Sequence, residues 1–259
     1  GFPCQAWSNA GLKQGDKDPR GMLFWTMLDV IKKVLANNPQ AKFLMENVRM
    51  KKEFEEYITF HTQEALGKVN KHLVNSALVS AQNRKRFYWT NIDGIEQPED
   101  QGLILADILM DGHVDRDKSH CLDANYFKGG NPKSYFGKSR RQLVFDRPCE
   151  LKDFDPKAEC HHVATATDIN GHDSIKRVYA DSGKSPTINT MGGGNREPKV
   201  LVSDLIPTYR KLRPCECEAL QTFPIGYTEG ISNSQRYKCL GNSFTVSVVS
   251  HILNYAFSS

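Results

Sequence analysis

Between residues 22 and 90 the apolar residues switch period repeatedly, and this limits the fold more than any other feature. Met22, Trp25, Leu28, Ile31 and Leu35 recur at helical spacing until Asn37-Asn38-Pro39 stops them. Residues 41–45 form a short apolar run, read as a strand leading into Glu46-Asn47-Val48. A second helix is expected over residues 51–66 with a stop at Gly67. A strand is expected over 72–81, and an aromatic one at Phe87-Tyr88-Trp89-Thr90. Helix, strand, helix, strand is the rhythm of an α/β protein. Ligands of open α/β sheets sit outside the carboxyl ends of strands. Cys4, Glu46 and the Arg84/Arg86 segment all fall at strand ends or in adjoining loops, which groups them as a candidate site.

Cys4 follows Pro3, whose ring fixes φ, so the thiol is presented in a set direction. A single cysteine is more often a small buried hydrophobe than a nucleophile, so Pro-Cys gains weight only from its companions. The seven cysteines, an odd number, fit reduced thiols better than a disulfide framework. Cys215-x-Cys217 and Cys160-His161-His162 fall short of the paired ligand sets that zinc needs, and no metal is expected. Charged residues are 25% of the 259, and no apolar run is long enough to span a bilayer, so no membrane partner is expected. The net charge of +4 (34 basic, 30 acidic) excludes nothing. It permits a nucleic-acid partner where basic residues cluster, as at Arg84-Lys85-Arg86, Lys138-Ser139-Arg140-Arg141 and Arg210-Lys211-Leu212-Arg213.

From about residue 94 the rhythm breaks. Residues 94–209 are rich in Gly, Asp, Lys, Asn and His, with loop-formers at Lys128-Gly129-Gly130-Asn131-Pro132 and Met191-Gly192-Gly193-Gly194-Asn195. Helical period returns at residues 214–220, with Pro214 well placed at a first helical position, and again over 243–257. Three segments are therefore expected: 1–93 and 210–259 as one domain, and 94–209 as a second, smaller domain of loops and short strands.

Several blocks together resemble the DNA cytosine-5 methyltransferase family. Pro3-Cys4-Gln5 is similar to its nucleophile motif, Glu46-Asn47-Val48 to its Glu-Asn-Val motif, and Gln82-x-Arg84-x-Arg86 to its Gln-x-Arg-x-Arg motif. Arg210-x-Leu212 with Glu216, Gln221 and Phe223-Pro224 resembles a further block, with Arg213 where threonine is usual. Gly241-Asn242-Ser243 followed by Val246 resembles the terminal block, and Pro186-Thr187-Ile188 followed by Gly192 to Gly194 the Thr-hydrophobic pair of the target-recognition domain. Read singly, the blocks keep plainer alternatives. Glu46-Asn47 could be a helix N-cap, residues 82–86 a basic turn, and Asn242-Ser243 the cap of the final helix with Gly241 ending the helix before it.

The resemblance implies a fold, a reaction and roles. The fold is an incomplete S-adenosylmethionine-dependent methyltransferase (Rossmann-like) sheet with a target-recognition domain. The reaction is methyl transfer to carbon 5 of a cytosine flipped out of double-stranded DNA, a flip that costs a few kcal/mol. Cys4 would attack carbon 6, Glu46 would protonate or hydrogen-bond ring nitrogen 3, and Arg86 with Arg84 would hold the carbonyl oxygen at carbon 2. Pro3, Asn242 and Ser243 fall beside the cofactor, and Gln5, Ser8, Asn47, Gln82 and Thr187 on the substrate side. Its Phe-x-Gly-x-Gly loop and the acidic residue after its second strand have no counterpart in these residues. They are expected on a second chain or a missing segment, consistent with a first residue that is Gly1 rather than Met. A cytoplasmic, nucleoid-associated place in a bacterial cell follows from the same resemblance. Two alternatives remain: a catalytically silent DNA-binding subunit or remnant, and a tRNA cytosine-5 methyltransferase. Intact Cys4, Glu46, Arg84 and Arg86 weigh against decay, and the length of residues 94–209 favours DNA.

Overall fold

The computed structural model describes residues 1–7, 15, 18–150, 162–180, 196–201 and 207–257. Helix α1 (Leu23–Asn37) and helix α2 (Lys52–Leu66) form where the helical period predicted them. Glu53 and Glu55 in the first turn of α2 suit the positive end of its dipole. Gly67 ends that helix at φ +80°, a left-handed conformation that costs glycine little.

Strands β1 (Leu44–Val48), β2 (Asn70–Asn75) and β3 (Lys85–Thr90) form an antiparallel sheet in the order β1-β3-β2. The second strand is shorter than the sequence suggested. The Asn75 side chain accepts from the backbone N–H groups of Ala77 and Arg84, turning the chain into a single helical turn at Ser76–Leu78. Alternation along β3 gives the sheet two packed faces. Phe87 and Trp89 point with Met45 toward Phe24 and Leu28 of α1 and Ile58 of α2. Tyr88 points with Val74 toward Val248 and Ile252 of helix α7 (Val246–Phe257).

Two helices lie immediately before α7 in the chain. In α5 (Pro214–Leu220) Pro214 starts the helix and the Glu216 carboxylate accepts from the backbone N–H of Arg213 at 2.7 Å. Of helix α6 (Asn233–Asn242) the sequence suggested only an end at Gly241, and the observed helix corrects the terminal block. Gly241 lies inside α6, Ser243 caps that helix at its C-terminus, and the last helix starts only at Val246. Between α5 and α6, the fully buried Glu218 organises residues 225–231. It accepts from the backbone N–H groups of Gly226 and Thr228, from the Thr228 hydroxyl, and from Arg236 at 2.9 Å.

Burial pushes the Glu218 pKa up, but the hydrogen bonds from Thr228, Arg236 and the two backbone amides outweigh it and hold the carboxyl below its ordinary value. Its contribution is therefore complete above the unfolded-state pKa and is lost as pH falls through the lowered folded value. Glu218→Gln is expected to cost about 3 kcal/mol at neutral pH, since it leaves Arg236 facing an amide. Urea melts of wild type and variant should converge toward acid. An equal gap at both pH values would mean that Glu218 is not an ionised anchor.

The chain divides into two units: Gly1–Leu109, Arg116–Phe127 and Arg213–Ser259 in the first, Met110–Asp115 and Lys128–Leu212 in the second. Residues 94–109 and 116–127 thus group with the sheet unit. The second unit contains a strand pair, β4 (Leu143–Phe145) with β8 (Tyr209–Lys211). Its other sheet takes β5 (His162–Thr165), β6 (Arg177–Ala180) and β7 (Lys199–Leu201) in that order, together with helices α3 (Pro132–Lys138) and α4 (Asp173–Lys176). No described helix is long and apolar enough to cross a membrane.

Candidate active site

The site is built on a short anchored turn. Phe2, Ala6 and Trp7 are buried, and Trp7 meets Phe2, Phe24 and Phe54 edge to face. Between these anchors Pro3 sits at φ −55° and Cys4–Ala6 form one helical turn, closed by Trp7 N–H on the Cys4 carbonyl at 3.1 Å. The half-buried Cys4 is therefore held from both sides. Asn47 ties this turn to β1: its amide nitrogen donates to the Phe2 carbonyl at 3.1 Å and its oxygen accepts from Val48 N–H at 2.8 Å.

Strand register brings the next two groups together. Glu46 lies opposite Tyr88, so Arg86, two residues earlier on β3, is its diagonal neighbour on the same face. Arg86 Nε lies 3.0 Å from Glu46 Oε1, an ion pair whose approach is oblique to the N–H. Cys4, Glu46 and Arg86 line one cavity of about 600 Å³ with Gly1, Pro3 and Gln5. Asn242 and Phe244 also line it, and its volume lies in the range of small-molecule sites.

Arg84 touches the same cavity, but its guanidinium is occupied. It donates to the Leu122 carbonyl at 3.0 Å, to Gly241 at 3.4 Å and to Ser243. Burial, then the Arg86 charge, pushes its pKa down, which makes those carbonyl contacts the group's compensation. Gln82 is buried and outside the cavity wall. Its amide nitrogen donates to the Leu220 carbonyl and to Gln221, and its oxygen accepts from Leu122 N–H. Gln221 in turn accepts from Thr245 and donates to the Leu240 carbonyl at 2.7 Å. A buried polar lattice thus joins the segment just before β3 to α5 and α6.

The structure therefore sorts the expected residues. Cys4, Glu46, Arg86, Pro3, Gln5, Asn47 and Asn242 surround one space, with Arg84 behind it. Gln82 was expected on the substrate side, yet its amide is engaged by the Leu220 carbonyl, the Gln221 side chain and the Leu122 N–H. Ser243 was expected beside the cofactor, but its hydroxyl donates to the Leu240 carbonyl. Ser8 and Thr187 lie outside the described residues. Arg20, Phe244 and Cys121 were missed. Arg20 lines the cavity and its guanidinium, hydrogen-bonded to Asp18, lowers that carboxyl to about 2. The Cys121 thiol lies 3.5 Å from Arg84 Nη1 and 3.7 Å from Arg86 Nη2. No spacing in the sequence announces either contact.

A thiol on a fixed turn thus lines the same cavity as a carboxyl–guanidinium pair, on an α/β scaffold. The chain belongs to the C-5 cytosine-specific DNA methylase family, whose model matches residues 1–258. It is 37% identical to orphan methyltransferase M.SPBetaI of Bacillus phage SPbeta, over 96% of this chain and 71% of that protein. Type II methyltransferase M.HpaII of Haemophilus parainfluenzae is 27% identical over 96% of this chain and 68% of its own length. Among solved structures, the methyltransferase EhMeth of Entamoeba histolytica aligns with a TM-score of 0.57 at 16% identity, covering 99% of this chain and 75% of that one. That likeness supports the α/β methyltransferase fold.

S-adenosylmethionine is the cofactor this membership implies. The residues present fit one side of it: Phe2, Pro3 and Phe244 give apolar wall, and Asn242 gives an amide able to donate and accept.

Proposed function

We propose that this chain methylates carbon 5 of a cytosine flipped out of duplex DNA, through a transient bond from Cys4 to ring carbon 6. The observation that carries this is the shared cavity of Cys4, Glu46 and Arg86, with the last two paired at 3.0 Å. Sulfur adding at carbon 6 breaks the ring's aromaticity and gives carbon 5 enamine character. The charge that develops is met at ring nitrogen 3 by the Glu46 carboxyl and at the carbon 2 carbonyl by Arg86, whose planar fork suits that oxygen. When bound, S-adenosylmethionine supplies the methyl group. Loss of the carbon 5 proton to a base then expels the Cys4 sulfur and restores the ring. Arg84, Gln82 and Asn47 are positioning residues in this reading: they fix β3 and the Cys4 turn from behind. Gln5, Ser8 and Thr187 are assigned to the DNA side, and residues 94–209 to recognition of the target site.

The cofactor pocket needs residues beyond those described here. Among the described residues β1 pairs only with β3. Helix α1 exposes Leu23, Val30 and Val34. Strands that carry the rest of the pocket, on this polypeptide's continuation or on a second chain, are proposed to pair along that open edge.

The test is transfer of a labelled methyl group from S-adenosylmethionine to mixed-sequence duplex DNA and, in parallel, to tRNA. The expected product is 5-methylcytosine in the duplex. Label in tRNA alone would replace DNA as the substrate, and label in neither, from folded cofactor-loaded protein, would favour the silent DNA-binding reading.

A further inference from the structure

We propose that Arg20 grips the phosphodiester next to the flipped cytosine, at the mouth of the cavity lined by Cys4, Glu46 and Arg86. This rests on the duplex-DNA reading above and adds a further binding residue to that site.

The guanidinium is held in place by its own turn. Asp18 is buried, and its carboxylate accepts from the Arg20 backbone N–H at 2.9 Å, from Nε at 2.9 Å and from Nη2 at 2.6 Å. The side-chain hydrogen bonds from Arg20 keep that carboxyl at about 2, so the pair stays ionised at neutral pH. The turn closes through Gly21 N–H on the Asp18 carbonyl at 2.7 Å and Asp18 N–H on the Gly15 carbonyl at 3.3 Å. Glycine is required here: a Cβ on Gly21 would fall 2.0 Å from the Gly15 carbonyl oxygen. Helix α1 follows directly, and its buried Phe24 packs on Phe2 and Trp7. Arg20 is thereby fixed to the same core that anchors the Cys4 turn.

The clasp leaves one edge of the fork open. A guanidinium is planar and carries five N–H donors. Asp18 takes the side formed by Nε and Nη2. Among the described residues Nη1 has no hydrogen-bond partner, so the end formed by Nη1 and Nη2 can meet a second oxyanion. The other two arginines lining the cavity are committed, Arg84 to the Leu122, Gly241 and Ser243 carbonyls and Arg86 to Glu46. Depth then separates the parts of the ligand. The Arg86 and Glu46 side chains are 12% and 27% exposed, whereas that of Arg20 is 51% exposed. A cytosine whose polar edge reaches Glu46 and Arg86 carries its sugar and phosphate back toward the rim, because the backbone stays with the duplex. Two phosphate oxygens on an arginine fork make a strong, directional contact, and a side chain already ordered by Asp18 loses little freedom in making it.

The experiment measures binding of the full chain to duplexes of unrelated sequence over a range of salt, with methyl transfer to the same duplexes as a second readout. Arg20→Gln is expected to lower the slope of log affinity against log salt by about 1, the loss of one phosphate contact. It should weaken all duplexes by roughly tenfold, the scale of one lost charge-assisted hydrogen bond. It should raise KM for DNA and leave KM for S-adenosylmethionine unchanged. Arg20→Lys keeps a point charge and should restore most of the slope. Asp18→Asn loosens the turn but keeps the cation, so binding should weaken with the slope intact. Lys33→Gln, at an exposed position of α1 outside the cavity lining, should leave the slope unchanged. An unchanged slope in Arg20→Gln overturns the phosphate contact while leaving the DNA reading intact. So does an equal fall in Lys33→Gln, which would indicate a diffuse basic field. A slope that Arg20→Lys fails to restore, or that Asp18→Asn lowers as much as Arg20→Gln, would reduce Arg20 to a support of the turn. A raised KM for S-adenosylmethionine with an unchanged slope would assign the open edge to the cofactor's carboxylate instead. Absence of salt-dependent duplex binding by the wild type overturns the DNA reading and this contact with it.

Discussion

Cys4→Ser is expected to abolish the covalent adduct with duplex DNA carrying 5-fluorocytosine and to lower methyl transfer by about 10⁴-fold or more, the scale on which removing an attacking nucleophile acts. The argument is atom by atom. Fluorine at carbon 5 cannot leave as a proton does, so elimination stalls after methyl transfer and the sulfur–carbon bond persists through denaturation. Serine keeps the turn at Cys4–Ala6, whose anchors are Phe2 and Trp7, and changes only the attacking atom. A hydroxyl at neutral pH is a far weaker nucleophile than a thiol with some thiolate character. Cys121, the exposed thiol beside Arg84 and Arg86, is the control. Cys121→Ser should retain the adduct, measured as DNA-retarded protein on a denaturing gel with S-adenosylmethionine present. If Cys4→Ser still traps and Cys121→Ser does not, the nucleophile has been misassigned.

Side-chain chemistry was readable in the chain, but geometry was not. Cys4, Glu46 and Arg86 are recognisable by type and order, and the helical period placed α1 and α2 within two residues of their observed ends. Nothing in the sequence says that Glu46 and Arg86 are diagonal neighbours, because that depends on which residues of β1 and β3 face each other. For the same reason Arg84 and Gln82 looked like substrate contacts. Whether an arginine meets a ligand or a carbonyl depends on Leu122, Gly241 and Ser243, which arrive from distant parts of the chain. The extent of helix α6 escaped because it has little apolar stripe to display: it buries Tyr237, Leu240 and Gly241, one of which has no side chain. Its remaining signal was Ser232, whose side chain accepts from Gln235 N–H as an N-cap.

Gly241 also carries the second large expected effect. In an ordinary helix interior, glycine to alanine stabilises by roughly 0.5–1 kcal/mol, because glycine has more backbone freedom to lose on folding. Here the sign should reverse. A Cβ on Gly241 would fall 2.3 Å from the carbonyl carbon and oxygen of Asp123 and 2.4 Å from the backbone nitrogen of Ala124. Those atoms are main chain, so no side-chain rotation relieves the clash; α6 or the 123–124 segment must move. Overpacking of this kind costs about 1–3 kcal/mol and at times more, which exceeds the helix-propensity gain. For a chain of this size that corresponds to a fall of roughly 2–4 °C in melting temperature per kcal/mol. The displacement would also reach the site. The Gly241 and Ser243 carbonyls hold Arg84, and Arg84 stands two residues before Arg86 at the start of β3. Gly241→Ala should therefore lower both the melting temperature and methyl transfer. Asn242→Ala, at an exposed position on the cavity wall, should lower transfer with little change in melting. A Gly241→Ala protein as stable as wild type or more so would show that α6 does not approach the 123–124 backbone this closely.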